Sequence, residues 1–172
     1  MKRAMITMIT MIAATGIAII SCKKTEDPAT PAEPGTCKIT GLVQAPLDLS
    51  NDTTADGSYT YNLHPEDVTT GLITFIVNSK DLDHNPDESF DYQDLSFSAS
   101  ISAGAYSIDV PAISTPLTVD IYVDDFNSDQ RQYIFENPDS VVYENKKFSV
   151  GSFSIGGITQ GATRVQNIMY EI

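Results

Sequence analysis

The sequence predicts an all-β fold, an antiparallel β-sandwich, and three observations carry the prediction. In Leu95-Ser96-Phe97-Ser98-Ala99-Ser100-Ile101-Ser102, apolar residues alternate with serines without a break. That is the period of a strand with one face in a core and the other in water. Leu72–Asn78 is apolar on nearly both faces and β-branched, as a central strand is. Beyond residue 22 no stretch keeps the 3.6-residue helical period, and turn residues recur between the apolar runs.

The N-terminus is a processing segment and takes no part in the fold. Met1-Lys2-Arg3 is a basic tip, and the apolar run from Ala4 to Ile20 is diluted by Thr7, Thr10, Thr15 and Gly16. Seventeen residues is the short limit for spanning a bilayer, so an uncleaved anchor is the alternative. Ile19-Ile20-Ser21-Cys22 resembles the bacterial lipobox, with Ile19 where leucine is usual. The resemblance implies cleavage before Cys22 and a diacylglyceryl thioether on its sulfur, followed by acylation of the freed amine. One acyl chain binds a membrane only marginally, at about 0.8 kcal/mol per buried methylene, whereas two or more hold stably.

Lys23-Lys24-Thr25-Glu26-Asp27 resembles the charged export signal of Bacteroidota surface lipoproteins. It implies an outer-membrane protein facing the cell surface, with the periplasmic face as the alternative. Residues 22–36 form a tether in which Pro28, Pro31 and Pro34 keep the three-residue period of polyproline II. At ~3.1 Å per residue it lifts the following domain ~40 Å.

Formal charge is −13, and removal of Lys2 and Arg3 with the leader takes it to −15. Such a balance repels phosphate backbones, which argues against nucleic acid as a partner and favours cations or basic surfaces. The single domain, 37–172, is long enough to bury its own core.

In chain order, Lys38–Val43 alternates and reads as the first strand, and Asp48–Gly57 is loop. Tyr59 and Tyr61 suggest a short strand before Pro65, and Ser79–Asp94 is a long acidic loop. Ala103-Gly104 supplies a turn after the Leu95–Ser102 strand. Tyr106, Ile108 and Val110 then return, and Leu117, Val119, Ile121 and Val123 complete a predicted meander. Later strands are expected at Arg131–Phe135, Val141–Tyr143, Lys147–Ile155 and Thr163–Tyr170, with turns at Asn137–Ser140 and Gln160-Gly161. Apolar parity switches within Lys147–Ile155, which predicts a bulge at Gly151.

Ile39-Thr40-Gly41-Leu42-Val43, then Gly104-Ala105-Tyr106-Ser107-Ile108-Asp109-Val110-Pro111 and Leu117–Ile121, resemble the carboxypeptidase-regulatory or transthyretin-like sandwich. The likeness covers residues 37–126 and implies a transthyretin- or immunoglobulin-like, non-catalytic module. The insert at Ser79–Asp94 and the strands after Arg131 depart from that family.

Catalytic chemistry is not expected. His64 and His84 are the only imidazoles, both in polar loop sequence. Gly151-Ser152-Phe153-Ser154-Ile155-Gly156 has the wrong glycine spacing for a nucleophile elbow, and no helix follows it. Calcium is the sharper chemical expectation. Asp81, Asp83, Asn85 and Asp87 place oxygen ligands at alternate positions, and Asp125, Asn127, Asp129 and Glu136 form a second set. Neither is an EF-hand, since Pro86 and Gln130 stand where glycine is needed.

Cys37 has no partner within the lipidated chain, which excludes an internal disulfide and leaves burial or an intermolecular bridge. Thr53 and Ser140 sit in triplets that resemble Bacteroidota O-glycosylation acceptors. The expected function is a membrane-anchored structural or accessory binding module, working with other outer-membrane proteins. The alternative is a carbohydrate-binding lipoprotein of a nutrient-uptake system, with Tyr59, Tyr61 and Tyr122 as its aromatic platforms.

Overall fold

In the computed structural model, which describes residues 33–137 and 140–172, the apolar alternations of the sequence become the inner faces of two packed sheets. The leader, Cys22, most of the tether, Pro138 and Asp139 lie outside the described residues. The elements are β1 (Gly35–Ala45), β2 (Glu66–Asp67), β3 (Leu72–Asn78), β4 (Asp94–Ser100), β5 (Ala105–Ala112) and β6 (Leu117–Val123). They continue as β7 (Phe126–Arg131), β8 (Tyr143–Phe148), β9 (Phe153–Ile158), β10 (Thr163–Val165) and β11 (Ile168–Met169).

One sheet is built on β1. Along one edge it pairs antiparallel with β5 and then β2; along the other it pairs parallel with β10 and then β11. The second sheet has the order β4-β3-β6-β9, antiparallel throughout. Their inner faces make one β-sandwich core: Cys37, Ile39, Val43, Tyr106 and Val110 face Ile73, Phe75, Val119, Ile121 and Ile158. The Phe75 and Tyr106 rings, from opposite sheets, have centroids 5.8 Å apart.

Parallel pairing in the first sheet has a topological cause. After β9 the chain crosses from the second sheet at the end where β1 begins, with Gly161 N–H donating to Thr36 O. From there β10 and β11 run the same way as β1.

Outward and inward residues of β4, β5 and β6 fall where the alternation places them, but their pairing corrects the expected meander. β4 pairs with β3 and β5 pairs with β1, so the turn at Ala103-Gly104 carries the chain from one sheet to the other. Both turn residues have positive φ, 49° and 74°, closing a two-residue loop between Ser102 and Ala105. β6 then returns to lie beside β3.

Three further expectations are corrected. Tyr59 and Tyr61 form no strand; Tyr59 makes one bridge, to Thr53, and the strand here is β2. Lys147–Ile155 is no single bulged strand. Its parity switch marks a crossing, since Phe148 ends β8 in one hairpin and Phe153 begins β9 in the second sheet. The register shift of β9 falls instead at Gly156-Gly157, opposite Leu117–Val119. Finally, Thr163–Tyr170 is two strands, interrupted at Gln166-Asn167, where the Asn167 side chain accepts the N–H of Leu42 and fills the gap in the ladder.

The β7–β8 hairpin pairs from Phe126↔Phe148 to Arg131↔Tyr143 and sits at the end of the sandwich where β1 finishes. Phe126 stacks on Phe148 and meets Tyr170 edge-on. Arg131 N–H donates to Leu47 O, and the buried Gln130 donates its amide to Pro46 O at 2.6 Å. β1 spans 11 residues, roughly 33 Å of strand, between the pole where this unit's chain enters and the pole that carries the hairpin.

Candidate functional site

The hairpin pole is organised from a buried carboxylate. Asp52, almost fully buried, accepts the N–H of Asn62 at 2.7 Å on one oxygen and that of His64 at 2.8 Å on the other. Its own backbone carbonyl accepts Thr60 N–H. Backbone donors so arranged satisfy a charge that would otherwise be costly to bury. They also fix the intervening turn, in which Asn62 adopts the left-handed conformation at φ 56°.

That turn presents Tyr59 and Tyr61. Tyr59 stacks on Tyr133 from the segment after β7, with centroids 4.7 Å apart and planes 19° off parallel. Phe135 meets both rings edge-on. Burial pushes both tyrosine hydroxyls up; Asp52 adds to this at Tyr59, and Glu171 followed by Asp52 at Tyr61. Beyond the stack the pole is apolar and open: Phe135 is 74% exposed, Val141 60% and Tyr143 58%, with Tyr61 and Val142 beside them in the exposed set. The pole's cations among the described residues are engaged: Arg131 with Asp48, Lys146 with Glu144, and Lys147 with Asp125 at 2.7 Å.

Of the three tyrosines expected as platforms, the structure brings Tyr59 and Tyr61 to this pole and leaves Tyr122 elsewhere. Tyr122 lies on the outer face of the second sheet, in a shallow cleft of about 240 Å³ with Asp120, Ser152, Phe153 and Ser154. Tyr133, Phe135 and Val141–Tyr143 read as strand in the sequence, and nothing in their pattern distinguishes them as a site.

The expected calcium ligands are not assembled. Among the described residues no three His, Cys, Asp or Glu side chains group to hold a metal. Asp81, Asp83, Asn85 and Asp87 lie at the pole where β1 begins. There the loop borders a cleft of about 360 Å³ shared with Lys80, His84, Ile113 and residues 115–118. Asp83 spends its oxygens on Asn85 N–H and the Tyr92 hydroxyl, and Asp87 on Ser89, which holds both carboxyls below their usual range. Asp125, Asn127 and Asp129 fall on and beside the extended strand β7, where alternate residues stand roughly 7 Å apart, too far to share one ion. Asp129 accepts from Asn145 and Asp125 pairs with Lys147, while Glu136 lies beyond the strand.

The remaining candidates are placed as follows. Thr53 is half-buried and bridged to Tyr59. The Ser140 N–H donates to Asn137 O at 2.9 Å, with Asp139 of its triplet outside the described residues. Cys37 is buried on the inner face of β1. Cys22 is not among the described residues, and no helix among those described is long and apolar enough to cross a membrane. Comparison of the chain with protein-family models, with curated proteins and with solved structures returned no match.

Proposed function

We propose that this chain is a lipid-tethered, non-catalytic docking module of the outer membrane, facing the cell surface, and that the aromatic pole is its binding end. The observation that carries the reading is the exposure of Phe135, Val141, Val142, Tyr143 and Tyr61 at the hairpin pole. Large apolar side chains left open at one end of a domain commonly mark where a partner covers them. The geometry supports a tethered display as well. The described chain enters the sandwich at Gly35, at the end of β1 opposite the aromatic pole, which leaves that pole clear of the point where a tether would join. Aromatic residues here act as anchors, because they bury much area at little rotamer cost.

The test is co-purification from detergent-solubilised native membranes, run beside the double variant Phe135→Ser/Tyr143→Ser. A stoichiometric outer-membrane partner retained by the native chain and lost by the variant is the expected result. A partner held equally by both, or none held by the native chain, overturns the docking role. Intact-mass measurement of the mature N-terminus tests the anchor separately: an unprocessed leader ahead of Cys22 removes it.

A further inference from the structure

The outer face of the second sheet carries a second surface of different chemistry. Registers of the ladder place Ser98, Thr74 and Tyr122 side by side across β4, β3 and β6. In the adjacent row Asp120 faces Ser154 across β6 and β9, and the Ser154 hydroxyl donates to Asp120 Oδ1 at 2.5 Å. The row runs across the strands, so at ~4.8 Å per strand it extends on the order of 14 Å. Tyr122 is 49% exposed, and the cleft beside it is bordered by Asp120, Ser152 and Ser154.

Each of these groups asks something of a ligand. An exposed phenol ring offers a flat apolar body with a polar edge, suited to the C–H face of a pyranose. Serine and threonine hydroxyls both donate and accept, so they match a ligand whose own groups do the same. Asp120 accepts only, and with Oδ1 engaged by Ser154 it has free lone pairs for hydroxyl donors. Charge then excludes one class, because a chain of net charge −13 repels uronate, sulfate and phosphate polymers. The cleft is open and shallow, so it accepts an internal stretch of a polymer and binds it weakly per ring.

We infer that the Tyr122 face is a binding site for a neutral polysaccharide, laid across the strands with one sugar ring on Tyr122 and its hydroxyls on Asp120 and Ser152. The site is independent of the aromatic pole. Tyr59 cannot serve the same purpose, since its ring is already covered by Tyr133.

Affinity electrophoresis of the full chain through gels containing dextran, mannan, xylan or galactomannan tests it. At least one of these retards the native protein, and Tyr122→Ala weakens that retardation at least tenfold. Asp120→Asn weakens it severalfold, and Phe135→Ser leaves it unchanged. Retardation persists in 0.5 M salt, because no ion pair is involved. Amide NMR shifts on adding an oligosaccharide of the retarding polymer fall on residues 120–122 and 152–154, which reads the site without any variant. No retardation in any gel, shifts confined to other residues, or retardation abolished by salt each overturns the assignment, the last in favour of a cationic ligand. Phe135→Ser/Tyr143→Ser loses its protein partner without affecting these gels, so failure of either surface is seen separately.

Discussion

Tyr106 and Gly41 are cross-strand partners, and the tyrosine hydroxyl passes the glycine to donate to the backbone carbonyl of Gln166 at 2.8 Å. The carbonyl lies so close over Gly41 that a Cβ there would overlap it. Gly41 thus admits the kink at Gln166-Asn167 that divides β10 from β11, and Tyr106 satisfies the oxygen the kink turns inward. Gly41→Ala is expected to lower stability by at least ~3 kcal/mol, since backbone rather than a side chain must move. Tyr106→Phe keeps the ring and strands the Gln166 carbonyl, at a cost of ~1–3 kcal/mol. Urea denaturation of both variants checks the order, with alanine the more damaging.

Alkaline pH acts on the same hydroxyl. Burial pushes Tyr106 up to about 12, and burial with Asp124 and Asp125 does the same for Tyr170. The unfolded chain ionises these phenols near pH 10 while the folded chain holds them neutral. Their contribution is therefore complete below pH 10 and falls away as pH rises through about 12. Denaturation midpoints measured from pH 9 to 12 should decline across that window. The decline should shrink in Tyr170→Phe, which loses one of the two phenols.

Asp52 sets the aromatic pole. Asp52→Ala leaves the N–H groups of Asn62 and His64 without their acceptor. Charge-assisted bonds of this kind are worth ~1.5–3 kcal/mol each, so a loss of about 3 kcal/mol is expected. The Tyr59–Tyr133 stack should loosen with it. Near-UV circular dichroism of the tyrosines, read beside the urea midpoint, distinguishes a disordered pole from global unfolding.

Cys37 should be inert in the native protein. Its side chain is buried on the inner face of β1 and packed in the core, which rules out a bridge to another chain without unfolding. Reaction with a disulfide reagent is expected to follow the unfolding rate, and non-reducing electrophoresis of native protein should show monomer alone.

The sequence makes strand faces legible where one side is sealed and the other wet, as in β4, β5 and β6. It does not reveal which strand each one pairs with. Alternation looks the same whether Ala103-Gly104 closes a hairpin within one sheet or passes the chain to the other. The β7–β8 hairpin was shifted because β7, Phe126-Asn127-Ser128-Asp129-Gln130-Arg131, is polar and held by register and by Gln130 rather than by an apolar face. The aromatic pole was missed for a related reason. Phe135 and Val141–Tyr143 have strand composition, and only their place at and beyond the last paired rung, Arg131↔Tyr143, leaves them uncovered. The two motifs behind the family resemblance pair along adjacent strands, β1 and β5, with Gly41 opposite Tyr106, a match that local packing alone can select.

The side-by-side placement of β1 with β10 and β11 has a consequence for how the molecule comes into being. Made before its partners, β1 must wait, one margin bare, for segments more than a hundred residues later to clothe it. Until Thr163–Met169 arrive, that margin is a template for any passing chain. Closure of this sheet therefore depends on Thr163–Met169, and removing those residues would reopen β1 to aggregation.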